Sequence, residues 1–356
     1  MTRLFIPGPT DVPAETLAAQ TRPMVGHRSQ TITDLIAKLQ PGLQEVFNTR
    51  QRVLIVASSG SGLQEAAVRN CVAGRLLVCV GGAFAERWFD IARSNGLPAD
   101  RLDVDWGQPH TPELLETALR SREYDTLAIV HNESSTGVEN PVRDLAARAR
   151  MVSPQLVILV DAVSSAGGVR LDMDDWGLDV VVTSSQKCFA LPPGLAFAAV
   201  SDRALARARS IPHRGWYFDF VLLDHALSQH TTPATPAISL LYALEVQLAH
   251  MLSEGLERRY ERHQRLATRV QAWTQERLSL FAAEGYRSKT VTAIANTREL
   301  DINNLNAYLA RHGMVIANGY GPLKNHTFRI GHLGETQLDD VERLLGHIDA
   351  FLDGQP

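Results

Sequence analysis

The chain contains 356 residues, of which 45% are hydrophobic and 21% charged, a composition typical of a globular protein with one large and one smaller domain. Its formal net charge is -4 at pH 7, and charges of both signs are scattered along it. Because no basic surface is indicated, we expect neither a nucleic-acid nor a membrane partner, and small-molecule chemistry is the favoured class of function.

The N-terminal stretch, MTRLFIPGPTDVP, is broken by three prolines and has no apolar run long enough for a signal peptide or a membrane span. The cysteines are odd in number and form no CxxC pair, which is typical of reduced thiols packed in the core of a cytosolic protein. We therefore expect a cytoplasmic protein. The cysteines are Cys71, Cys79 and Cys188.

Between residues 52 and 200, short apolar runs alternate with helical patterns. This rhythm predicts an α/β fold with a largely parallel sheet covered by helices on both faces. Each run is followed directly by Gly, Ser, Asn, Asp or Lys, so we expect polar side chains at the carboxyl ends of the strands, where such sheets place their sites. The runs are RVLIVA, RLLVCVGG, TLAIVHNE, LVILVDAVSS and LDVVVTSSQ.

Residues 237–280 have apolar side chains at spacings of three and four, which predicts a long helix with an interruption near Gly255. Beyond it, shorter strand and helix patterns alternate, which predicts a smaller α/β domain. The predicted organisation is an N-terminal segment, 1–20, that joins the small domain, a large domain over 21–240, and the connecting helix with the small domain over 241–356.

One lysine, Lys187, stands in the stretch VVVTSSQKCFALPPG, between two runs of the branched residues that favour buried strands. A lysine at such a place usually marks a turn through solvent, because lysine is almost never buried without a partner. The alternative is a chemical role. The choice depends on which other side chains reach the same edge of the sheet.

Two further polar features lie at predicted strand ends. The stretch ASSGSGLQEAAV has a Ser/Gly turn before a helix that begins near Gln64, and the amides of such a turn can bind phosphate. The run LVILVD ends a buried strand on Asp161, whose carboxylate must find a cation, a donor or water. Taken singly, the first is a tight turn and the second a helix cap or metal ligand. Together with Lys187, they are the parts of a pyridoxal phosphate (PLP) site.

Eight short motifs occur in the order found in the class V aminotransferases, which are PLP enzymes of fold type I. The sequence most resembles the alanine:glyoxylate and serine:glyoxylate aminotransferases of this class, over about residues 4–350. The resemblance implies a fold-type I PLP-dependent transferase with a large domain, whose mostly parallel sheet lies between helices, and a smaller C-terminal α/β domain. The motifs are IPGPTDVP, GHRS, SGSGLQEAAV, NESSTGVENPV, DAVSSAGG, SSQKCFALPPG, HTTPA and FRIGHLG.

By this resemblance, Lys187 forms the Schiff base with the cofactor, and Asp161 pairs with the protonated ring nitrogen. Val163 is expected to form an apolar wall on one face of the ring, and Phe84 to stack on the other. Many relatives have Trp at the latter position, and Trp88 is the competing candidate. The further expected cofactor contacts are Ser61, Gly62, Leu63, Ser134 and Gln186, with Ser134 at the ring hydroxyl and Ser61, Gly62 and Gln186 at the phosphate.

Arg329, in the motif FRIGHLG, matches the arginine that grips the substrate carboxylate as a bidentate fork. An arginine in a strand of a small domain is otherwise usually a surface residue. Gly8 would lend a backbone amide near the same carboxylate, unless Pro-Gly-Pro merely forms a rigid turn. We assign no metal ligand.

The segment SQHTTPA resembles a stretch that reaches the phosphate of the neighbouring subunit, which implies a homodimer with shared active sites. Thr231 corresponds to the reaching threonine, whereas Ser228 stands where some relatives have tyrosine. His27 and Arg28, in the motif GHRS, are candidates for the substrate entrance.

The predicted function is a PLP-dependent transaminase that moves the amino group of alanine or serine to glyoxylate or pyruvate in a ping-pong cycle. A substrate of the ureidoglycine type, which related enzymes handle, is an alternative to alanine and serine. One alternative is a cysteine desulfurase. Such an enzyme has a histidine directly before the lysine, a histidine stacked on the cofactor ring and a nucleophilic cysteine on a C-terminal loop. This chain has Gln186 and Phe84 at the first two places and no cysteine after Cys188. Another alternative is a non-catalytic accessory or binding subunit that keeps the fold.

Overall fold

A computed structural model describes residues 2–354 of the chain. Helices and strands alternate over most of this length. Within the described range, the strands are β1 (Arg3–Phe5), β2 (Val53–Ser58), β3 (Leu76–Val80), β4 (Ala99–Asp103), β5 (Thr126–Val130), β6 (Asn132–Glu133), β7 (Val138–Glu139), β8 (Val157–Asp161), β9 (Val180–Ser184), β10 (Gly194–Val200), β11 (Ser279–Leu280), β12 (Val291–Ala295), β13 (Met314–Asn318) and β14 (Thr327–Gly331). The helices of the same range are α1 (Ala14–Ala19), α2 (Gln30–Phe47), α3 (Gly60–Cys71), α4 (Ala83–Ser94), α5 (Pro112–Ser121), α6 (Val142–Val152), α7 (Asp202–Ser210), α8 (Phe220–Ser228), α9 (Ile238–Glu254), α10 (Leu256–Arg277), α11 (Ile302–Arg311) and α12 (Leu338–Leu352).

The larger sheet has seven strands in the order β2-β10-β9-β8-β5-β3-β4. Strands β9, β8, β5, β3 and β4 run parallel, whereas β10 is antiparallel to both β9 and β2. The central strands are buried along their whole length, as strands are when helices cover both faces of a sheet, which accounts for their continuous apolar runs. The predicted α/β fold with a mostly parallel sheet is confirmed.

The parallel strands of this sheet all end at one edge. Strand β2 ends there as well, because it is antiparallel to β10, which is itself antiparallel to β9. At this edge the chain passes from β2 into α3 and from β3 into α4. Asp161 is the last residue of β8, and Lys187 follows shortly after β9. The sheet therefore gathers polar segments that are far apart in the chain.

A second sheet has five strands in the order β1-β13-β14-β12-β11. Strand β1, near the beginning of the chain, pairs in parallel with β13, so that Arg3 lies opposite Met314. A separate apolar core packs against this sheet and includes Trp273, Phe328 and Leu344. The domain boundaries at residues 20 and 240 stay predictions.

The long helix predicted after residue 237 is two helices. Gly255 separates α9 from α10, with a φ of 83° that glycine adopts at low cost. Among the helices of residues 2–354, none is both long and apolar enough to cross a membrane.

Candidate active site

Lys187 lies in the loop between β9 and β10, and its side chain extends over the segment that follows β1. Its Nζ donates a hydrogen bond to the carbonyl oxygen of Pro7. Gly8 permits this approach, because a β-carbon there would lie 2.5 Å from Cδ of Lys187. The amide of Thr10 donates to the carbonyl of Gln186, and its hydroxyl donates to the carbonyl of Lys187, both at 3.2 Å. The structure therefore brings Gly8 and Lys187 together.

The amine of Lys187 is in a setting that favours its neutral form. Burial, and next the positive charge of Arg329, lower the pKa of Lys187 to about 8. More of the amine is consequently neutral near pH 7 than in an exposed lysine. A neutral amine has the lone pair that a nucleophile or a base requires.

Asp161 is a buried carboxylate that forms no salt bridge with any residue in the described part of the chain. Its Oδ1 accepts a hydrogen bond from the amide of Val163 at 2.8 Å, and its Oδ2 accepts one from Nε2 of Gln64 at 2.6 Å. Burial raises the pKa of Asp161 to about 6. A protonated ring nitrogen would supply the missing positive charge, so the surroundings fit the predicted role.

The first turn of α3 contains the predicted phosphate-binding residues Ser61 and Gly62, so the predicted Ser/Gly turn is part of the helix. No side chain within residues 2–354 caps this turn, which leaves its amides available to an anion. Gly60 lets α3 approach Val163, because a β-carbon there would lie 2.5 Å from Cγ2 of Val163. Leu63 faces the other way: its side chain is fully buried in the core, and its amide is bonded to a backbone carbonyl at 3.3 Å.

Two aromatic residues of α4 are candidates for stacking on a cofactor ring. Phe84 lies in the first turn, is partly exposed, and has its ring centroid 5.4 Å from that of Tyr320. Trp88 lies one turn further along the helix and is 0% exposed in the core of the large sheet. The structure therefore favours Phe84 over Trp88.

The buried carboxylate of Glu133 fixes the start of α4. It accepts hydrogen bonds from the amides of Phe84 at 3.2 Å and Ala85 at 3.0 Å, and from the hydroxyl of Ser135 at 2.6 Å. Burial raises the pKa of Glu133, while the amides at the helix N-terminus favour its charged form. Its hydrogen-bonding capacity is used within the protein, so we assign it no ligand.

Arg329, in β14 of the small sheet, is 7% exposed and forms no salt bridge within residues 2–354. Its guanidinium donates to the carbonyl of Asn318 at 3.1 and 3.0 Å and to the carbonyl of Ser134 at 3.1 Å. Its Cζ lies 5.6 Å from the ring centroid of Tyr320. Burial lowers the pKa of Arg329 to about 10, which leaves it charged at pH 7. A guanidinium without an acidic partner suits a substrate carboxylate.

Ser134 and Gln186 lie at the same edge of the sheet and have unused hydrogen-bonding capacity. The hydroxyl of Ser134 is 2.6 Å from that of Ser164, which leaves an oxygen lone pair or the proton for a ligand. The buried Oε1 of Gln186 has no hydrogen-bond partner among the residues described. Buried polar atoms are rarely left unpaired, so an unpaired one marks a place where a ligand or water binds.

Thr231 lines a groove that does not include Lys187, Asp161 or Arg329. It follows α8, and its hydroxyl donates to the carbonyl of Ala226 at 3.0 Å. It lines an apolar groove together with Trp216 and Tyr217, which are 61% and 44% exposed. Contact between Thr231 and a phosphate at the start of α3 therefore stays a prediction that requires a second subunit.

The GHRS motif is next to the Thr231 segment. Arg28 donates to the carbonyl oxygens of Thr232 at 2.9 Å and Pro233 at 3.3 Å. His27 precedes Arg28 in the stretch before α2. Neither side chain is bonded to Lys187 or Arg329, so their predicted place at the substrate entrance likewise depends on a second subunit.

Three side chains of the cleft are absent from the sequence-based prediction. Gln64 stands in the motif SGSGLQEAAV, directly after the predicted phosphate turn, and this position was the signal that the sequence offered. Arg87 lies one helical turn after Phe84, and its Nη1 donates to Oγ of Ser61 at 2.9 Å. Tyr320 lies in the loop that follows β13 of the second sheet, and its hydroxyl accepts from Nη2 of Arg87 at 3.4 Å. No local pattern indicated the last contact.

The side chains at this edge fit PLP. Free amides at the start of α3 suit a phosphate, the carboxylate of Asp161 suits a cationic ring nitrogen, and the amine of Lys187 suits an aldehyde. Phe84 offers an aromatic face. The two-sheet α/β fold and this set of groups define a PLP-dependent transferase of fold type I.

The family model "Aminotransferase class-V" matches residues 13–344. The chain therefore belongs to the class V aminotransferases, and the predicted family, enzyme class and cofactor are confirmed. It is similar to a protein named soluble hydrogenase, small subunit, of Synechococcus sp., with 37% identity over 98% of this chain and 92% of the relative. It is also similar to the L-aspartate–glyoxylate aminotransferase of Paracoccus denitrificans, with 31% identity over 96% and 88%. The serine–glyoxylate aminotransferase of Methylorubrum extorquens is 33% identical over 97% and 89%.

Solved structures agree with this membership. An aspartate aminotransferase of subgroup IV from Thermus thermophilus matches with a TM-score of 0.92 and 30% identity, covering 99% of this chain and 100% of that one. An alanine–glyoxylate aminotransferase from Nostoc sp. matches with a TM-score of 0.93 and 28% identity, covering 99% and 96%. The whole chain thus has the architecture of these enzymes.

Proposed function

We propose that this enzyme moves the amino group of a small amino acid, alanine or serine, to a small 2-oxo acid, glyoxylate or pyruvate. The observation that carries the proposal is the guanidinium of Arg329, which has no carboxylate partner within residues 2–354. Its positive charge helps to lower the pKa of Lys187. A guanidinium and an amine in one cleft suit the carboxylate and the α-carbon of one amino acid. Similarity to serine–glyoxylate and alanine–glyoxylate aminotransferases supports the choice of substrates.

The edge of the large sheet would hold the cofactor. When bound, PLP supplies a carbonyl group that exchanges amino groups and a ring that withdraws electrons. Asp161 would hold a proton at the ring nitrogen while Gln64 orients its carboxylate, and Phe84 and Val163 would bind the two ring faces. The remaining contacts would come from Ser134 at the ring hydroxyl and from Ser61, Gly62, Gln186 and the Thr231 of a second subunit at the phosphate.

Lys187 would move the reacting proton. Because its pKa is lowered to about 8, its Nζ can take the proton from the α-carbon of the donor and return one to the α-carbon of the acceptor in the second half-reaction. Arg329 would bind the carboxylate through two parallel hydrogen bonds, which fixes the direction of the α-hydrogen. The ring of Tyr320, whose centroid lies 5.6 Å from Cζ of Arg329 and 5.4 Å from that of Phe84, would limit the size of the substrate side chain.

Half-reactions test the proposal. The cofactor-loaded enzyme is mixed with alanine, serine and aspartate in turn, and the absorbance of the bound cofactor is followed before and after glyoxylate or pyruvate is added. We expect the absorbance to be lost with alanine or serine and to return with either oxo acid. An enzyme that reacts with neither alanine nor serine contradicts the proposed substrates.

A matched lysine variant tests the role of Lys187. We expect Lys187→Ala to bind PLP and to have no turnover, whereas Lys324→Ala, which changes an exposed lysine, should behave as wild type. Borohydride reduction of the loaded wild type followed by peptide mapping should label Lys187. A label on Lys324 or Lys289 would contradict the assignment.

We further propose a cytoplasmic homodimer with shared active sites. The three free cysteines are all buried, which is consistent with a reducing compartment. The exposed aromatic side chains of Trp216 and Tyr217 beside Thr231 support a protein partner at this groove, and a second copy of the chain would bring Thr231 to the neighbouring phosphate.

A further inference from the structure

Arg87 is a positively charged side chain whose contacts within residues 2–354 are all with neutral groups. Its Nη1 donates to Oγ of Ser61 at 2.9 Å, and its Nη2 donates to the hydroxyl of Tyr320 at 3.4 Å. Its Cζ lies 5.0 Å from the ring centroid of Phe84. Arg101, beside the same helix, forms two salt bridges. The charge of Arg87 is therefore not balanced by a carboxylate.

The charge of Arg87 acts on the cleft. Its positive charge offsets part of the rise in the pKa of Asp161 and contributes, after burial and Arg329, to the lowered pKa of Lys187. Arg329, which also lacks a carboxylate partner within residues 2–354, is the proposed partner of the substrate carboxylate. The guanidinium of Arg87 is therefore available to balance the charge of a second anion.

The proposed phosphate ligands carry no positive charge. Ser61, Gly62, Gln186 and Thr231 offer only amides and hydroxyls. A phosphate group carries close to two negative charges at neutral pH, and burying such a charge without a cation is costly. Arg87 is bonded directly to one of these ligands, the hydroxyl of Ser61.

We propose that Arg87 is a positioning residue for the cofactor phosphate and that its charge balances that of the phosphate. Its N–H occupies a lone pair of Oγ of Ser61, so the hydroxyl proton of Ser61 is free to be donated to a phosphate oxygen. Tyr320, in the loop that follows β13, accepts a hydrogen bond from Nη2 of the same guanidinium. The inference rests on the proposed function, because it takes Ser61 as a phosphate ligand.

Titration with and without the phosphate group tests the inference. Cofactor-free wild type and Arg87→Met, which keeps an unbranched stem, are titrated with PLP and with pyridoxal, and the absorbance change gives Kd. For Arg87→Met we expect the Kd for PLP to rise about ten- to a hundred-fold, as loss of a charge-assisted interaction implies, and that for pyridoxal to change less than about three-fold. Arg87→Lys keeps the charge and should recover part of the preference for PLP.

Tyr320→Phe is the matched control, because it removes a hydrogen bond of Arg87 and leaves the charge in place. We expect its preference for PLP over pyridoxal to persist, and thermal unfolding checks that all variants are folded. Equal loss of affinity for both ligands in Arg87→Met would mean that Arg87 only packs, and would overturn the inference. Unchanged PLP affinity with selective loss of aspartate binding would assign Arg87 to a substrate carboxylate and would also overturn it. A wild type that binds neither ligand at Lys187 would overturn the proposed function and the inference with it.

Discussion

The carboxylate of Asp161 is held by two neutral donors, the amide of Val163 and the side-chain amide of Gln64. Neutral donors offset only part of the cost of burial, and the pKa of Asp161 is accordingly raised to about 6. A cationic ring nitrogen against this carboxylate would stabilise its charged form. The surroundings of this single residue thus favour a ligand that brings a positive charge.

For Lys187, we predict that the rate of covalent PLP capture by cofactor-free enzyme rises with pH and has its midpoint near pH 8. Below the pKa of about 8 the amine is an ammonium without a lone pair, and above it the amine is neutral and reactive. Stopped-flow absorbance between pH 6 and 10 measures the profile. Because the positive charge of Arg329 helps to lower the pKa of Lys187, Arg329→Met should move the midpoint to higher pH. A wild-type midpoint at pH 10, or an identical profile for both proteins, would refute this account.

The start of helix α4 is held by one buried carboxylate, that of Glu133. Glu133 accepts from the first-turn amides of this helix, and the same turn carries Phe84. A capping interaction of this kind fixes the direction in which the chain enters the helix. The position of Phe84 at the cleft is therefore coupled to a residue of β6.

We predict that Glu133→Ala lowers the free energy of unfolding by about 1 to 2 kcal/mol, the usual cost of losing a helix cap, and also weakens PLP binding. Chemical denaturation of the cofactor-free protein and a PLP titration measure the two effects. Glu86→Ala is the matched control, because Glu86 is an acidic residue of the same first turn that pairs with Arg101 at the surface. Surface pairs contribute little, so Glu86→Ala should change both quantities less. A larger effect in Glu86→Ala would disprove the capping role of Glu133.

At the scale of the whole molecule, we predict that Thr231 completes the site of a partner subunit. Thr231→Ala should weaken PLP binding by about ten- to a hundred-fold, because one hydrogen bond to a charged group is lost. Its hydroxyl now donates to the carbonyl of Ala226 and would have to turn towards the phosphate. Thr232→Ala is the control, because the hydroxyl of Thr232 is bonded to Ala234 in the same segment.

Hybrid dimers give the sharper measurement. Lys187→Ala mixed with a strongly impaired variant at Thr231 should yield one site with both lesions and one with neither, so part of the activity should return after subunit exchange. A fully active monomer in sedimentation, or no recovery despite proven exchange, would exclude shared sites.

The local sequence already predicted the parts of the site that sit at strand ends. Asp161 and Lys187 each follow a continuous apolar run, and parallel strands bring their carboxyl ends to one edge whatever lies between them in the chain. The helical spacing of apolar residues in 237–280 predicted the helices there and an interruption near Gly255. Family motifs added Arg329 and Phe84. These features depend on patterns within a few residues, which the sequence alone determines.

Only the tertiary structure decided which side chains face the cleft and what holds them. Phe84 and Trp88 are one helical turn apart, and only the packing of α4 on the sheet leaves the first at the cleft and buries the second. Gln64 and Asp161 are 97 positions apart, and Arg87 and Tyr320 are 233 apart. Local periodicity carries no information about such contacts, because they form only when separate elements pack against each other and bury polar groups that must then find partners.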